Sequence, residues 1–206
     1  MKKLIILTIS ALPFLMSSTC KKDVYKNAEP VRLNSTINNT TETITLGDIL
    51  KIELTIPGTI TTESSQNITV NSLQEGSYSI LCSRIDTINK RAIGLNNTSA
   101  FFVTKGSYNG GAVFVSTTNN PYVSVLNIVP PEKGVYYIEI LPQPGKLKIN
   151  SNDYFGLKVN FNIPDKHWNM IAYYYNIYFN TNVNEFLASV QQRNSEGYGY
   201  YGFRVN

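Results

Sequence analysis

The chain is poor in the residues that catalytic and metal chemistry most often recruit. It has one histidine (His167), one tryptophan (Trp168) and two cysteines, Cys20 and Cys82. Any Ser-His-Asp or Cys-His arrangement must therefore use His167, and no Gly-x-Ser-x-Gly elbow supplies a nucleophile. His167 sits in the polar stretch 164–169 after a strong strand pattern and reads as a surface or partly packed imidazole beside Trp168. One histidine and one spare cysteine are too few for a transition-metal site. The stretch Asn150-Ser151-Asn152-Asp153 offers oxygen ligands but a single carboxylate, and reads as a plain turn. There is no glycine-rich phosphate loop between a strand and a helix. No metal or cofactor is expected.

Charge of one sign is also scarce. The formal net charge is +4, and no Lys/Arg block concentrates it. That excludes the basic footprint of a nucleic-acid binder. Long hydrophobic runs are missing too: the longest, 4–16, is short of the roughly 20 residues a spanning helix needs, and Pro13 interrupts it.

What that run does fit is a leader. Lys2 and Lys3 form a positive n-region, 4–16 an apolar h-region, and Ser17-Ser18-Thr19 a small-residue run before Cys20. Small residues directly before a cysteine resemble the lipobox of bacterial lipoproteins, in which the cysteine becomes the lipidated first residue. Ser17 stands where such boxes usually carry leucine, and degenerate boxes of this kind resemble those of Bacteroidetes lipoproteins. Lys21-Lys22-Asp23 is similar to the signal that sends many of these to the cell surface. The resemblance implies a signal peptide over 1–19, lipidation at Cys20, a flexible tether over 20–30 and an outer-membrane address. Several acyl chains at about 0.8 kcal/mol per buried CH₂ hold firmly where one is marginal. An ordinary secretory signal cleaved near Ser18 is the alternative.

If Cys20 is lipidated, Cys82 is unpaired and no intrachain disulfide staples the domain. Alternation places Cys82 with Tyr78 and Ile80, which predicts a buried structural thiol. Arg84 is the only basic neighbour in that strand that would activate it.

From 31 to 206 the dominant signal is period-2 alternation in a single domain. The clearest strand is 48–56, where Leu50, Ile52, Leu54 and Ile56 share a face opposite Lys51, Glu53 and Thr55. Strands at 67–74 and 77–85 are separated by Glu75-Gly76, which predicts a tight hairpin. Further strands are predicted at 99–104, 112–116, 122–129, 135–141, 146–149, 155–163, 171–179 and 198–205. In 171–179, Ile171, Tyr173, Tyr175, Ile177 and Phe179 would face the core together. One segment breaks the pattern: Val183, Phe186, Leu187 and Val190 recur at helical spacing, with Asn182 and Glu185 as a capping box. About ten short strands with frequent turn signals, plus one short amphipathic helix near the C-terminus, predict an all-β fold. An antiparallel β-sandwich is the reading and a barrel the alternative.

Three places resemble a set of Bacteroidetes lipoproteins of unassigned activity: Leu46-Gly47-Asp48-Ile49-Leu50-Lys51-Ile52, Lys133-Gly134-Val135-Tyr136-Tyr137-Ile138, and Tyr201-Gly202-Phe203-Arg204-Val205. The resemblance implies fold and location and carries over no catalytic residue. Asp86-Thr87-Ile88 is similar to the Asp-Ser/Thr-aliphatic site of Bacteroidetes O-glycosylation, which implies a glycan on Thr87.

Aromatic residues are abundant, with 14 tyrosines, and they crowd the C-terminal third. Exposed Tyr and Trp suit sugar stacking or a protein hot spot. Tyr174, Tyr178, Tyr198 and Tyr200 fall on polar-leaning faces and, with Trp168 nearby, are the binding candidates, core or sheet-edge packing being the alternative. The functional expectation is a membrane-anchored, non-enzymatic module that binds glycan or protein and no nucleic acid. A hydrolase with dispersed carboxylates and a structural part of a fimbria-like assembly are the alternatives.

Overall fold

The computed structural model describes residues 28–96, 98–118, 120–141, 145–151, 153–162, 167–179, 182, 188 and 199–206, with the backbone alone at 168, 175 and 177–179. The predicted leader, Cys20 and most of the predicted tether lie outside the described residues. No described helix is long and apolar enough to cross a membrane.

The fold is all-β, with one short helix element, α1, among the described residues. In chain order the strands of the first half are β1 (Pro30–Ile37), β2 (Thr43–Ile44), β3 (Leu50–Ile56), β4 (Thr59–Thr61), β5 (Asn67–Thr69), β6 (Leu73–Asp86) and β7 (Arg91–Gly94). Then follow β8 (Phe101–Lys105), β9 (Ser107–Asn109), β10 (Ala112–Phe114), β11 (Tyr122–Ile128) and β12 (Gly134–Ile140). The chain ends with β13 (Gly145–Ile149), β14 (Asp153–Phe161), helix α1 (Trp168–Phe179) and β15 (Gly199–Val205). Thirteen strands form one mixed sheet, and β4 and β5 pair as a separate ribbon. Most pairings are antiparallel, but β1 with β14 and β15 with β2 are parallel.

β3 behaves as its alternation requires. Leu50, Ile52, Leu54 and Ile56 are fully buried, while Lys51 and Glu53 pair with each other on the outer face at 2.8 Å. Central strands on both sides, β11 and β1, cover its backbone. The predicted turn at 150–153 is also present. Asn150 Oδ1 accepts from the Asn71 amide at 2.9 Å, and Asn150 Nδ2 donates to Thr69 O at 2.7 Å. It joins β13 to β14 as a hairpin.

The predicted hairpin at Glu75-Gly76 does not exist, because β6 runs straight through it for 14 residues. Gly76 is there for close approach. A β-carbon at that position would lie 3.1 Å from Ile56 Cδ1 and 3.3 Å from Val115 Cβ. Isolated glycine inside a strand marks such an approach as readily as a turn. The long β6 organises the sheet. Along one side it pairs β13 and then β12, along the other β10 and then β7. Beyond β13 the sheet continues through β14, β1, β3 and β11, and it bends back on itself. The Ser116 amide, just past β10, donates to Val123 O of β11 at 3.1 Å. Tyr78 on β6 places its hydroxyl 3.4 Å from Ser124 Oγ on β11.

The segment predicted as the strand 171–179 is helix α1. Met170, Ile171 and Ala172 are buried and Tyr174 is half-buried, and Met170, Ile171 and Tyr174 pack with Ile85 and Val135. Short apolar runs fit both periods, and packing decides between them. Here the deciding neighbour is β15. Gly202 has no side chain, and a β-carbon there would lie 2.5 Å from Ile171 Cγ1. The helix fills that space. Of the helix predicted at 182–190, only Ala188 is described beyond its cap, and it is helical.

Where the chain enters β1 it is tied down. Glu29 O accepts from the Gly156 amide at 3.1 Å, and Glu29 Oε1 accepts from the Ser64 amide at 2.8 Å. Beside this, Glu63 bridges Lys158 of β14 at 2.9 Å and Arg32 of β1 at 3.2 Å. The Lys158 hydrogen bond foremost holds the Glu63 carboxyl below its ordinary range.

Candidate functional site

α1 and β15 create a cleft of about 390 Å³. β15 lies between β12 and β2, so both of its edges are hydrogen-bonded and Arg204 is held in register against Val135 and Thr43. The Arg204 amide donates to Glu42 O at 2.7 Å, which fixes Glu42 at the rim. α1 supplies Asn169, Met170, Tyr173 and Tyr174, and His167 precedes it.

His167 corrects the sequence expectation of a surface or partly packed ring. It is 9% exposed, its backbone is left-handed (φ 54°), and its ring packs at 5.5 Å from that of Tyr201. Nδ1 lies 2.8 Å from Gly202 O. A carbonyl oxygen only accepts, so Nδ1 carries a proton and the ring is oriented by the β15 backbone. His167 thereby fastens the start of α1 to the strand below it.

Arg204 and Tyr174 form the centre of the cleft. Arg204 Nη2 donates to the Tyr174 hydroxyl at 2.9 Å, and the guanidinium carbon stands 5.7 Å from the Tyr174 ring centre. Arg204 Nε is buried and has no hydrogen-bond partner among the described residues. Tyr173 meets Tyr174 edge-on at 5.6 Å and remains 58% exposed. A strand over 171–179 puts Tyr173 in the core. The helix instead turns it outward.

The binding candidates separate. Tyr174 lines the cleft. Trp168 opens α1 and Tyr178 lies near its end, with side chains outside the described residues, and Tyr198 lies outside them altogether. Tyr200 is not a surface residue: it is 8% exposed and its hydroxyl donates to Glu139 Oε1 at 2.6 Å. Alternation assumed that one face of β15 meets solvent, but α1 packs on that face and the core lies under the other. Arg204, Glu42 and Asn169 carried no sequence signal. The glycine between Tyr201 and Phe203 was the one clue that something packs there.

Thr87 is exposed in the turn from β6 to β7. Asp86 shapes that turn by accepting from the Ile88 and Asn89 amides at 3.0 and 3.1 Å and from Asn89 Nδ2 at 2.8 Å. The Asn89 side chain foremost holds the Asp86 carboxyl below its ordinary range. Cys82 is fully buried, and burial pushes its thiol well above the ordinary value. Arg84 pairs with Glu132 at 2.8 Å. Among the described residues no group of three metal-ligating side chains converges.

A second cleft of about 430 Å³ is lined by Thr104, Lys105, Gly106, Ser116, Pro121 and Val123. None of the described residues that line it is aromatic. No protein-family model matches the chain, and no curated protein matches it.

Proposed function

We propose that the protein is a non-enzymatic binding module, held at the outer membrane by lipid on Cys20 and displayed outward, with the α1–β15 cleft as its ligand seat for glycan or protein. The observation that carries this is Tyr173. A large aromatic side chain stands out from a helix at the mouth of a cleft, against a second tyrosine braced by an arginine. Rigid, amphipathic rings presented this way give contact area at low entropic cost. Among the described residues lining the cleft, Glu42 is the one carboxylate, whereas glycoside hydrolysis uses a pair.

The path of the chain supports the same reading. A tether from Cys20 would reach the domain at Pro30. The cleft lies beyond the opposite end of β1, after a strand of about 26 Å at ~3.3 Å per residue. Phe161, at the matching end of β14, lies 6.3 Å from Tyr201, whose hydroxyl donates to Asn39 O at 3.0 Å. That path would carry the seat on the side away from a lipid on Cys20, which supports outward display.

Protease shaving of intact cells, wild type beside Cys20→Ala, tests the address. Digestion of the wild type on whole cells, with release of the variant from the membrane fraction, is the expected result. Glycan and protein arrays probed with wild type and Tyr173→Ala test the seat. Equal binding by the two would remove it.

A further inference from the structure

We infer that the α1–β15 cleft takes a carboxylate borne on a sugar ring, with the Arg204 guanidinium as its anchor. The inference rests on the cleft being the ligand seat and specifies what it selects. Arg204 is half-buried, and its Nη2 is satisfied by a neutral hydroxyl rather than by a carboxylate. Among the described residues its Nε has no acceptor, and none of the ion pairs involves it. A guanidinium carries five N–H donors in a planar fork, and a partly desolvated one that no carboxylate among the described residues approaches to ion-pair distance is a demand for an anion. Tyr174 holds the fork from one side, so an incoming group meets it in a fixed orientation.

The other residues narrow the anion. Glu42 lines the same cleft, and its carboxylate repels a doubly charged phosphate more than a singly charged group. A carboxylate matches the guanidinium fork in shape as well as charge. Tyr173 offers an exposed ring on which the apolar face of a sugar can stack. Asn169, exposed on the first turn of α1, brings one donor group and one acceptor for hydroxyls. Arginine, stacking tyrosine and amide are the parts a uronic-acid residue would use.

Calorimetry on the full chain in detergent, titrated with glucuronate, glucose, inorganic phosphate and a short peptide with a free C-terminal carboxylate, tests this. Glucuronate should bind about tenfold or more tighter than glucose, the range of one charge-assisted contact. Arg204→Gln should erase that preference. Glu42→Gln, at an exposed side chain, should tighten glucuronate about two- to threefold by removing a like charge, and it decides the matter if Arg204→Gln does not fold. Equal binding of glucose and glucuronate, both lost in Tyr173→Ala, would overturn the carboxylate while leaving a sugar seat. Phosphate or the peptide binding in place of glucuronate would overturn the acidic sugar. Binding of no probe would remove both the inference and the cleft as a ligand seat.

Discussion

Gly202 of β15 and Ile171 of α1 touch so closely that a β-carbon on the glycine would lie 2.5 Å from Ile171 Cγ1. The cleft depends on that contact, because it sets how deeply α1 sits on the strand and so where Tyr173 and Tyr174 stand relative to Arg204.

Gly202→Ala should therefore destabilise the protein by about 1–3 kcal/mol through overpacking. Denaturant titration reads this as a lower midpoint. Removing the clashing γ-carbon, in Gly202→Ala/Ile171→Ala, should recover part of the loss, so that the double variant is more stable than the sum of the singles implies. Strict additivity would mean that the helix does not rest on Gly202.

Tyr200 separates structure from binding. Tyr200→Phe removes a 2.6 Å hydrogen bond to Glu139 and should cost about 1–2 kcal/mol, with ligand affinity unchanged. Tyr173→Ala should do the reverse, since its side chain is 58% exposed. A thermal melt beside an array titration reads both, and a binding defect in Tyr200→Phe would return that residue to the site.

Stability should fall in alkali. Burial raises Tyr78 from ~10 in an unfolded chain to about 12 in the fold. The Cys82 thiol is raised for the same reason. Above the unfolded values the unfolded chain binds fewer protons than the folded one, so unfolding free energy drops as pH rises. The tyrosine contribution is complete below pH ~10 and is lost between there and about 12. Tyr78→Phe should flatten that slope. A thiol reagent at pH 8 should label Cys82 only after denaturant is added, and rapid labelling of the native protein would contradict its burial.

Thr87 offers a test by mass alone. If it carries a glycan, the mature protein should be heavier than its polypeptide, and Thr87→Ala should remove the excess. An unmodified wild-type mass would dispose of the site.

The sequence revealed strands where a single neighbour relation decides them. β3 alternates cleanly because one face is core and the other is not, and 50, 52, 54 and 56 are all fully buried. Its signal failed where a glycine or an aromatic run had two physical uses. Gly76 looked like a turn and serves as a gap between Ile56 and Val115. Residues 171–179 alternate well enough for a strand, and only the vacancy over Gly202 makes the helix the better packing. The cleft was illegible for a related reason. Arg204, Tyr174 and Glu42 are distant in the chain and meet only through the β15–β2 pairing and the seat of α1. Of the three, alternation singles out Tyr174 alone, and for its face on a strand that is helix α1 instead.

The parallel pairing of β1 with β14 also has a mechanical meaning. On a lipid tether, a pull would enter at Pro30, the start of β1, while a ligand in the cleft would pull on α1, which follows the end of β14. The two strands run side by side for six residue pairs, from Pro30↔Gly156 to Ser35↔Phe161. Tension applied at opposite ends of a parallel pair slides the strands past one another and loads their hydrogen bonds together rather than one at a time. Glu63, bridging Arg32 and Lys158 across that pair, acts as a cleat at the loaded end. A domain strung this way would hold its grip under flow, with the anchor and the ligand pulling along a seam loaded in shear.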